Sequence, residues 1–351
     1  MRFGLNFFPS FRPEDGTTAA YYDQCLRIAE RADTLGYSSI KTVEHSFYDY
    51  GGHSTNPCVF LSAVAARTRR IRLITGAVIP AFHHPAHLGG ELAMLDNMSN
   101  GRFDAGFGRA FLPKEFEVYG VPMSESRERF EESIGMIRRM WTEERVTIKG
   151  KYWNLEDVRL MPRVVQKPHP PVWIAAISTE ESFLYAARNG FNLMIVPYAG
   201  KPGQLRELVK LYRRMWAEAG RKPGAEQVQV AQFCYVAEKR DEARAGFERI
   251  CRRYLETFAD AVQSWQGTSS DQYPGYDKMV ASILATTPDK IVEGGGAFVG
   301  TPEDAVQQIR ACVEAFGANE PSMQINFGGS KDAEAFRTLE LFASRVMPAF
   351  R

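Results

Sequence analysis

Apolar and polar positions along this chain alternate between two periods. Short runs rich in Val, Ile, Phe and Ala read as buried strands, and the stretches between them repeat their apolar residues at 3.6-residue spacing, as amphipathic helices do. The runs Arg2–Phe7, Ser39–Glu44, Ile71–Ile79, Arg102–Gly108, Val172–Ala176, Asn192–Val196, Val228–Val236 and Met323–Phe327 predict eight strands. Helical patterns lie near Thr18–Leu35, Pro57–Thr68, Pro85–Met98, Ser124–Trp141, Thr179–Asn189, Gln204–Ala219, Asp241–Phe258 and Pro302–Phe316, and Asp332–Val346 closes the chain. Pro57 and Pro85 stand where a first-turn proline is tolerated. Thr301-Pro302-Glu303-Asp304 reads as a cap, a proline and an acidic first turn.

Strand and helix in strict alternation imply parallel βα units, and eight of them predict an α/β protein with a (βα)8 TIM barrel fold. A plain barrel takes about 250 residues. The chain has 351, so we expect a single domain over 1–351 with the surplus in insertions near 146–170 and 264–300. The first holds a hairpin signal (Val146–Ile148, Gly150, Tyr152–Leu155) and a proline-rich return. The second is polar and glycine-rich, and its place before the last unit suits a lid.

Charge narrows the function. With 43 Lys+Arg against 42 Asp+Glu the net charge is +1, so no bulk field draws the chain to nucleic acid or to an anionic membrane. No apolar run reaches the roughly 18–20 residues of a membrane span; the longest, near Cys58 to Ala66, is interrupted by Ser62. Met1–Phe8 reads as a strand, not as a signal peptide. Five scattered cysteines without a CxxC pair suit reduced thiols in a cytoplasmic protein.

In a barrel the chemistry lies where strands end. Strand two ends in Glu44-His45-Ser46, strand three leads to Pro80 and His83-His84-Pro85, strand four to Arg109, strand five to Ser178-Thr179 and strand eight to Asn326. His45 carries a group that titrates near neutrality and suits general acid–base work; a satisfied structural histidine is the alternative reading. Arg109 follows Gly106-Phe107-Gly108, where backbone can approach a ligand and a guanidinium can pair with phosphate or carboxylate. A surface ion pair would also explain it. Ser178 and Thr179 stand at a helix start and could hold an anion, or simply cap the helix. Neither Gly106-x-Gly108 nor Gly294-x-Gly296 completes a dinucleotide fingerprint. His83 and His87 lack the glutamate of a zinc-binding HExxH, so no metal site is expected.

From Glu44 to Gly120 the chain resembles the bacterial luciferase-like family of flavin-dependent monooxygenases. The matching pieces are Glu44-His45, Asn56-Pro57, Ala66-Arg67-Thr68 with Ile71-Arg72-Leu73, His84-Pro85, Leu95-Asp96, Ser99-Asn100-Gly101-Arg102-Phe103, Gly108-Arg109 and Phe116-Glu117-Val118-Tyr119-Gly120. Later blocks, Gln166 to Trp173, Gly300-Thr301-Pro302-Glu303 and Leu339 to Pro348, extend the similarity over nearly the whole chain.

The resemblance implies reduced FMN, supplied by a separate flavin reductase and bound at the C-terminal face, with O2 and an organic substrate; oxygen transfer in the family runs through a flavin 4a-hydroperoxide. It implies that His45 is catalytic, that Arg109 with Ser178 and Thr179 holds the cofactor phosphate, and that Gly76-Ala77 is a non-prolyl cis peptide beneath the isoalloxazine. Phe8, Phe47, Tyr48, Phe82 and Phe111 would line an apolar, aromatic substrate pocket. A homodimer built on Pro57–Thr68 and Pro85–Met98 is implied as well. Three positions depart from the luciferase pattern: Ser46 replaces a second histidine, Gly108 a reactive cysteine, and Ala175-Ala176 a Glu-Ser pair. These make a light-emitting aldehyde oxidation unexpected. A deazaflavin-dependent dehydrogenase of the same superfamily and a noncatalytic flavin-binding partner are the alternatives.

Overall fold

The structure, a computed structural model, describes residues 1–200 and 202–351. In chain order its strands are β1 (Gly4–Phe7), β2 (Ser39–Thr42), β3 (Arg72–Thr75), β4 (Phe103–Phe107), β5 (Val146–Lys149), β6 (Asn154–Val158), β7 (Val172–Ala176), β8 (Asn192–Ile195), β9 (Val228–Val236), β10 (Ala297–Gly300) and β11 (Glu320–Gln324). Eight of them, β1, β2, β3, β4, β7, β8, β9 and β11, pair in parallel in that order, and β11 pairs again with β1. The sheet therefore closes into the (βα)8 barrel that the alternation predicts.

The helices are α1 (Thr18–Leu35), α2 (Pro57–Arg67), α3 (Pro85–Met98), α4 (Pro113–Tyr119), α5 (Ser126–Thr142), α6 (Glu180–Asn189), α7 (Pro202–Glu218), α8 (Arg240–Val262), α9 (Met279–Leu284), α10 (Pro288–Glu293), α11 (Pro302–Phe316) and α12 (Asp332–Leu341). Local chemistry sets their limits. The Thr17 hydroxyl accepts from the Ala20 amide to start α1, and Gly36, at φ 89°, ends it with a hydrogen bond to the Ala32 carbonyl. Between these caps Cys25, Ile28, Ala29 and Ala32 form the buried stripe that meets the outer face of the sheet. Each large aliphatic side chain buried there contributes about 1.5–3 kcal/mol.

The barrel interior is divided. Ile74, Ala77, Trp173 and Met194 form a small apolar cluster on the β3–β8 side. Buried Asn6, Ser39, Lys41, Gln229, Glu320, Ser322 and Gln324 fill the β1, β2, β9 and β11 side.

Most elements end within a few residues of the sequence pattern, and three places differ in kind. The apolar run Ile71–Ile79 stays strand only to Thr75, because the Gly76-Ala77 bond is cis and the chain leaves strand geometry there. Its polar groups remain paired: Gly76 N–H donates to the Thr42 carbonyl and Val78 N–H to the Gly106 carbonyl. The last barrel strand is Glu320–Gln324, earlier than Met323–Phe327. Phe327 turns onto the aromatic cluster above the barrel, and Gly328 and Gly329 follow at φ 58° and 69°. The stretch 264–300 contains α9, α10 and β10, which pairs with Phe233–Val236 at the upper end of β9. The glycines before it, Gly294 to Gly296, hide so short a strand in the sequence. The hairpin near 146–170 is present as β5 and β6.

All five cysteines are free thiols and buried. Among the described residues no helix is long and apolar enough to cross a membrane, and no group of three or more His, Cys, Asp or Glu could hold a metal ion.

Candidate active site

Beyond β2 the chain runs into Glu44, His45 and Ser46, all buried. Glu44 fixes the neighbouring loop: its carboxylate accepts from the Ile79 amide at 2.7 Å and meets His83 Nε2 at 2.7 Å. His45 is anchored from the opposite side by Glu115 on α4, whose Oε1 lies 3.1 Å from Nδ1 and accepts from the Ser46 amide at 2.9 Å. With Nδ1 held, Nε2 is the nitrogen left for other work. The imidazole lies among Phe8, Tyr50 and Phe111, with ring centroids 5.8, 5.5 and 5.6 Å away. Gly51, at φ 75°, packs against its other side, where an added Cβ would stand 2.7 Å from Cδ2.

A patch of small residues lies at the ends of β3, β4 and β7. A Cβ placed on Gly108 would meet Ala77 Cβ at 3.0 Å, Ile79 Cδ1 at 3.5 Å and Ala175 Cβ at 3.6 Å, so three small residues adjoin with the tip of Ile79 between them. Gly106 below is packed so closely that a Cβ would run into the Thr75 carbonyl. The Ala175 of the departing Ala175-Ala176 pair belongs to this patch.

Arg109 follows Gly108 directly. Its Nη2 donates to Ser126 Oγ at 3.0 Å and to the Gln272 carbonyl at 3.2 Å, and Tyr273 lies under the guanidinium at 4.6 Å. Arg109 Nε is buried and has no partner. The pKa of Arg127, at the start of α5, is lowered first by burial and then by the charge of Arg109, and its Nη1 lies 3.6 Å from Glu131 Oε1. Ser178 approaches the Tyr276 hydroxyl, and Thr179 is the cap residue of α6, although its side chain accepts no capping bond. Two guanidinium groups with a spare buried donor and a nearby hydroxyl suit a phosphate dianion, and the small residues around Gly108 leave room for a ring. The donor set fits FMN.

The five expected pocket residues separate. Phe8 and Phe111 face His45. Phe82 packs instead on Phe116 and Tyr119, at 5.2 and 4.7 Å, and Phe47, half exposed at φ 71°, packs on Tyr119 at 5.5 Å. Tyr48 and Phe47 line a surface depression of about 370 Å³ with Asp49, Gly52, His53 and Asp260.

Further residues complete the site. Tyr50 stacks on Phe258 at 4.4 Å, and its hydroxyl lies 3.2 Å from that of Tyr254. Tyr198 accepts from Gln324 Nε2 at 2.7 Å. Tyr273 donates to the Ala110 carbonyl at 2.6 Å, which ties the 264–300 insertion over Arg109. Glu115, Arg127, Tyr254 and Tyr273 come from helices and an insertion, not from strand ends. Glu115 alone carries a readable signal, an acid set between apolar Leu112 and Phe116 at a helix start.

Residues 1–320 match the family profile described as luciferase-like monooxygenase. Among curated proteins, the oxygenase component of the flavin-dependent trigonelline monooxygenase of Acinetobacter baylyi is 26% identical, covering 100% of this chain and 96% of that one. Among solved structures, the monooxygenase RslO1 of Streptomyces bottropensis superposes with a TM-score of 0.90 at 39% identity, covering 100% of both chains. The oxygenating constituent of 3,6-diketocamphane monooxygenase from Pseudomonas putida, a type II Baeyer–Villiger enzyme in complex with FMN, shares the fold with a TM-score of 0.82 at 21% identity, covering 99% of this chain and 98% of that one. This chain belongs to the family of luciferase-like monooxygenases.

Proposed function

We propose that the protein is the oxygenase of a two-component system, using reduced FMN and O2 to oxygenate an apolar or aromatic organic substrate. The observation that carries this reading is that the strand ends bring His45, held by Glu115, the small residues around Gly108, and Arg109 with its unpartnered Nε to one rim of the barrel. Reduced FMN, when bound, supplies the two electrons that activate O2, so that one oxygen atom reaches the substrate and the other leaves as water.

The protein's own part is binding, orientation and exclusion of water. Arg109 and Arg127, with Ser178 and Thr179, hold the phosphate. Ala77, Gly108 and Ala175 support the ring. His45, fixed through Nδ1, offers Nε2 to take or return a proton at the reacting oxygen. Phe8, Tyr50, Phe111 and Phe258 wall that point with apolar surface and keep water out. Phe47, Tyr48 and Phe82 belong to the approach to this chamber.

A flavin reductase delivering the cofactor by diffusion, a cytoplasmic setting and a homodimer complete the proposal. The dimer is supported by apolar side chains left in solvent on α2 and α3, where Val59, Met94 and Met98 are 70%, 54% and 54% exposed. The test is anaerobic titration with reduced FMN, then mixing with O2 alongside an independent NADH-driven flavin reductase and a panel of aromatic and alicyclic ketones and phenols. Tight binding and substrate-dependent uptake of O2 are expected. Hydride transfer to a deazaflavin without O2 uptake would overturn the reading.

A further inference from the structure

Three tyrosine hydroxyls run through the aromatic cluster above the barrel. Tyr50 follows β2, Tyr254 lies on α8 and Tyr198 follows β8, so three separate βα units bring them together. The Tyr50 hydroxyl lies 3.2 Å from that of Tyr254, which Tyr198 approaches on its other side. Gln324, at the end of β11 and fully buried, closes the line by donating Nε2 to the Tyr198 hydroxyl at 2.7 Å. Burial pushes the pKa of all three phenols above the ordinary value, so each stays a neutral O–H.

Packing alone does not ask for these hydroxyls. Tyr50 stacks on Phe258 at 4.4 Å, and Tyr198 and Tyr254 lie 4.4 and 4.8 Å from Phe233; phenylalanine would fill the same space without burying a polar group. The line also holds one hydrogen more than its links use. Three hydroxyls bring three, the two links between them take two, and Gln324 supplies its own into Tyr198. With Tyr198 donating to Tyr254 and Tyr254 to Tyr50, the spare donor belongs to Tyr50. That ring stands 5.5 Å from His45 and 4.7 Å from Phe8, on the wall of the His45 chamber. Phe111, Tyr198 and Tyr276 are half-buried, so the aromatic surface is partly open at this rim.

We propose that this hydroxyl line is the specificity element of the chamber, and that the substrate is a planar aromatic carbonyl compound whose oxygen accepts the Tyr50 O–H. This rests on the reading of the rim as the oxygenation site and names its substrate class. The ring system packs on Phe8, Phe111 and Phe258, and the carbonyl takes the one donor that the line leaves over. Each hydroxyl polarises the next in the low dielectric of the cluster, which strengthens that terminal donor. A hydrocarbon of the same shape leaves the donor unpaired and is disfavoured.

The test uses fluorenone and fluorene, planar probes of one skeleton with and without the carbonyl oxygen. Equilibrium dialysis follows their binding, with oxidised FMN present, to the wild type, Tyr50→Phe and Tyr254→Phe between pH 6 and pH 9. The wild type should prefer fluorenone about threefold to tenfold, the scale of one net hydrogen bond. The preference should not change with pH, because no phenol of the line titrates in that range. Tyr50→Phe should abolish it and leave the affinities for fluorene and FMN as they were. Tyr254→Phe should lose it in part, since Tyr50 keeps its O–H without the neighbour that orients it. Should Tyr50→Phe not fold, the wild-type preference and Tyr254→Phe decide. Equal or absent binding of the two probes to the wild type, or an equal loss for both in Tyr50→Phe, overturns the inference while leaving the flavin site standing. Failure of the wild type to bind FMN would instead overturn the flavin reading.

Discussion

His45 and Glu115 are joined across the mouth of the barrel, Nδ1 to Oε1 at 3.1 Å, although 70 residues separate them in the chain. The same carboxylate oxygen accepts the Ser46 amide, so one acid orients both the imidazole and the backbone that carries it. Its other oxygen, Oε2, is buried without a partner. Glu115→Ala should lower kcat about tenfold to a hundredfold, somewhat less than the 10²–10⁴-fold of a general acid–base group itself. The affinity for FMN should stay as it was. Glu115→Gln, which can still accept from the Ser46 amide, should lose less. Steady-state kinetics beside flavin titration checks both; equal loss of kcat and of flavin affinity would show a general collapse of the rim instead.

Arg109 is expected to carry the phosphate. Arg109→Ala should weaken FMN binding by about 1.5–3 kcal/mol, the range for a hydrogen bond to a charged group, and should leave riboflavin, which lacks the phosphate, bound as before. Arg109→Lys should recover only part of the loss, because an ammonium cannot reproduce the guanidinium fork or its stacking on Tyr273. Fluorescence titration with both flavins separates phosphate recognition from damage to the site.

The barrel itself was legible because each strand is a short apolar run and each helix carries its own caps, as Thr17 and Gly36 do for α1. His45 and Arg109 were legible because barrel topology puts strand ends at one rim. The rest depended on tertiary placement. Nothing in the local pattern says that Lys41, in the run Ser-Ile-Lys-Thr, points into the barrel with an amide for a partner. Nothing near Tyr273 shows that its insertion folds back on Arg109. Phe47 and Phe82 look like pocket residues until Tyr119 is seen to hold them outside the His45 cluster. β10 escaped notice because four residues behind three glycines carry too little pattern.

His83 makes stability depend on pH. Burial pulls its pKa down, but the hydrogen bond and charge of Glu44 outweigh that, and the folded value lies above the usual 6.5. A raised folded value stabilises the fold fully below the unfolded pKa, and that contribution fades as pH rises through the folded one. Urea unfolding of the wild type should therefore lose stability relative to His83→Gln as pH climbs from about 6 upward, and the gap between the two should be widest on the acid side. A constant gap across that range would count against the pair.

Tyr273 covers Arg109 with its ring and ties the insertion to the Ala110 carbonyl. Tyr273→Phe should retain the ring contact and lose the tether, at a cost of about 0.5–1.5 kcal/mol. Tyr273→Ala should lose both and release flavin faster in stopped-flow displacement, with a smaller change in the association rate. Identical release rates in all three proteins would mean that the insertion does not cover the bound cofactor.

Gly51 tests how closely the surroundings of His45 are built. It has φ 75°, which a side chain rarely adopts, and its added Cβ would meet His45 Cδ2 at 2.7 Å and Cβ at 2.9 Å. Gly36 supplies the comparison, since its φ is 89° yet a Cβ there would meet nothing within 4 Å. Gly36→Ala should cost only the backbone penalty of about 1–2 kcal/mol and leave turnover unchanged. Gly51→Ala carries the same penalty plus about 1–3 kcal/mol of overpacking. The strain falls on an imidazole confined by Phe8, Tyr50, Phe111 and Glu115, which leave it no free direction in which to move. Turnover should therefore fall in Gly51→Ala beyond what its stability loss explains. Equal kcat in the two variants, measured well below their unfolding temperatures, would mean that the exact seat of His45 does not matter to the reaction.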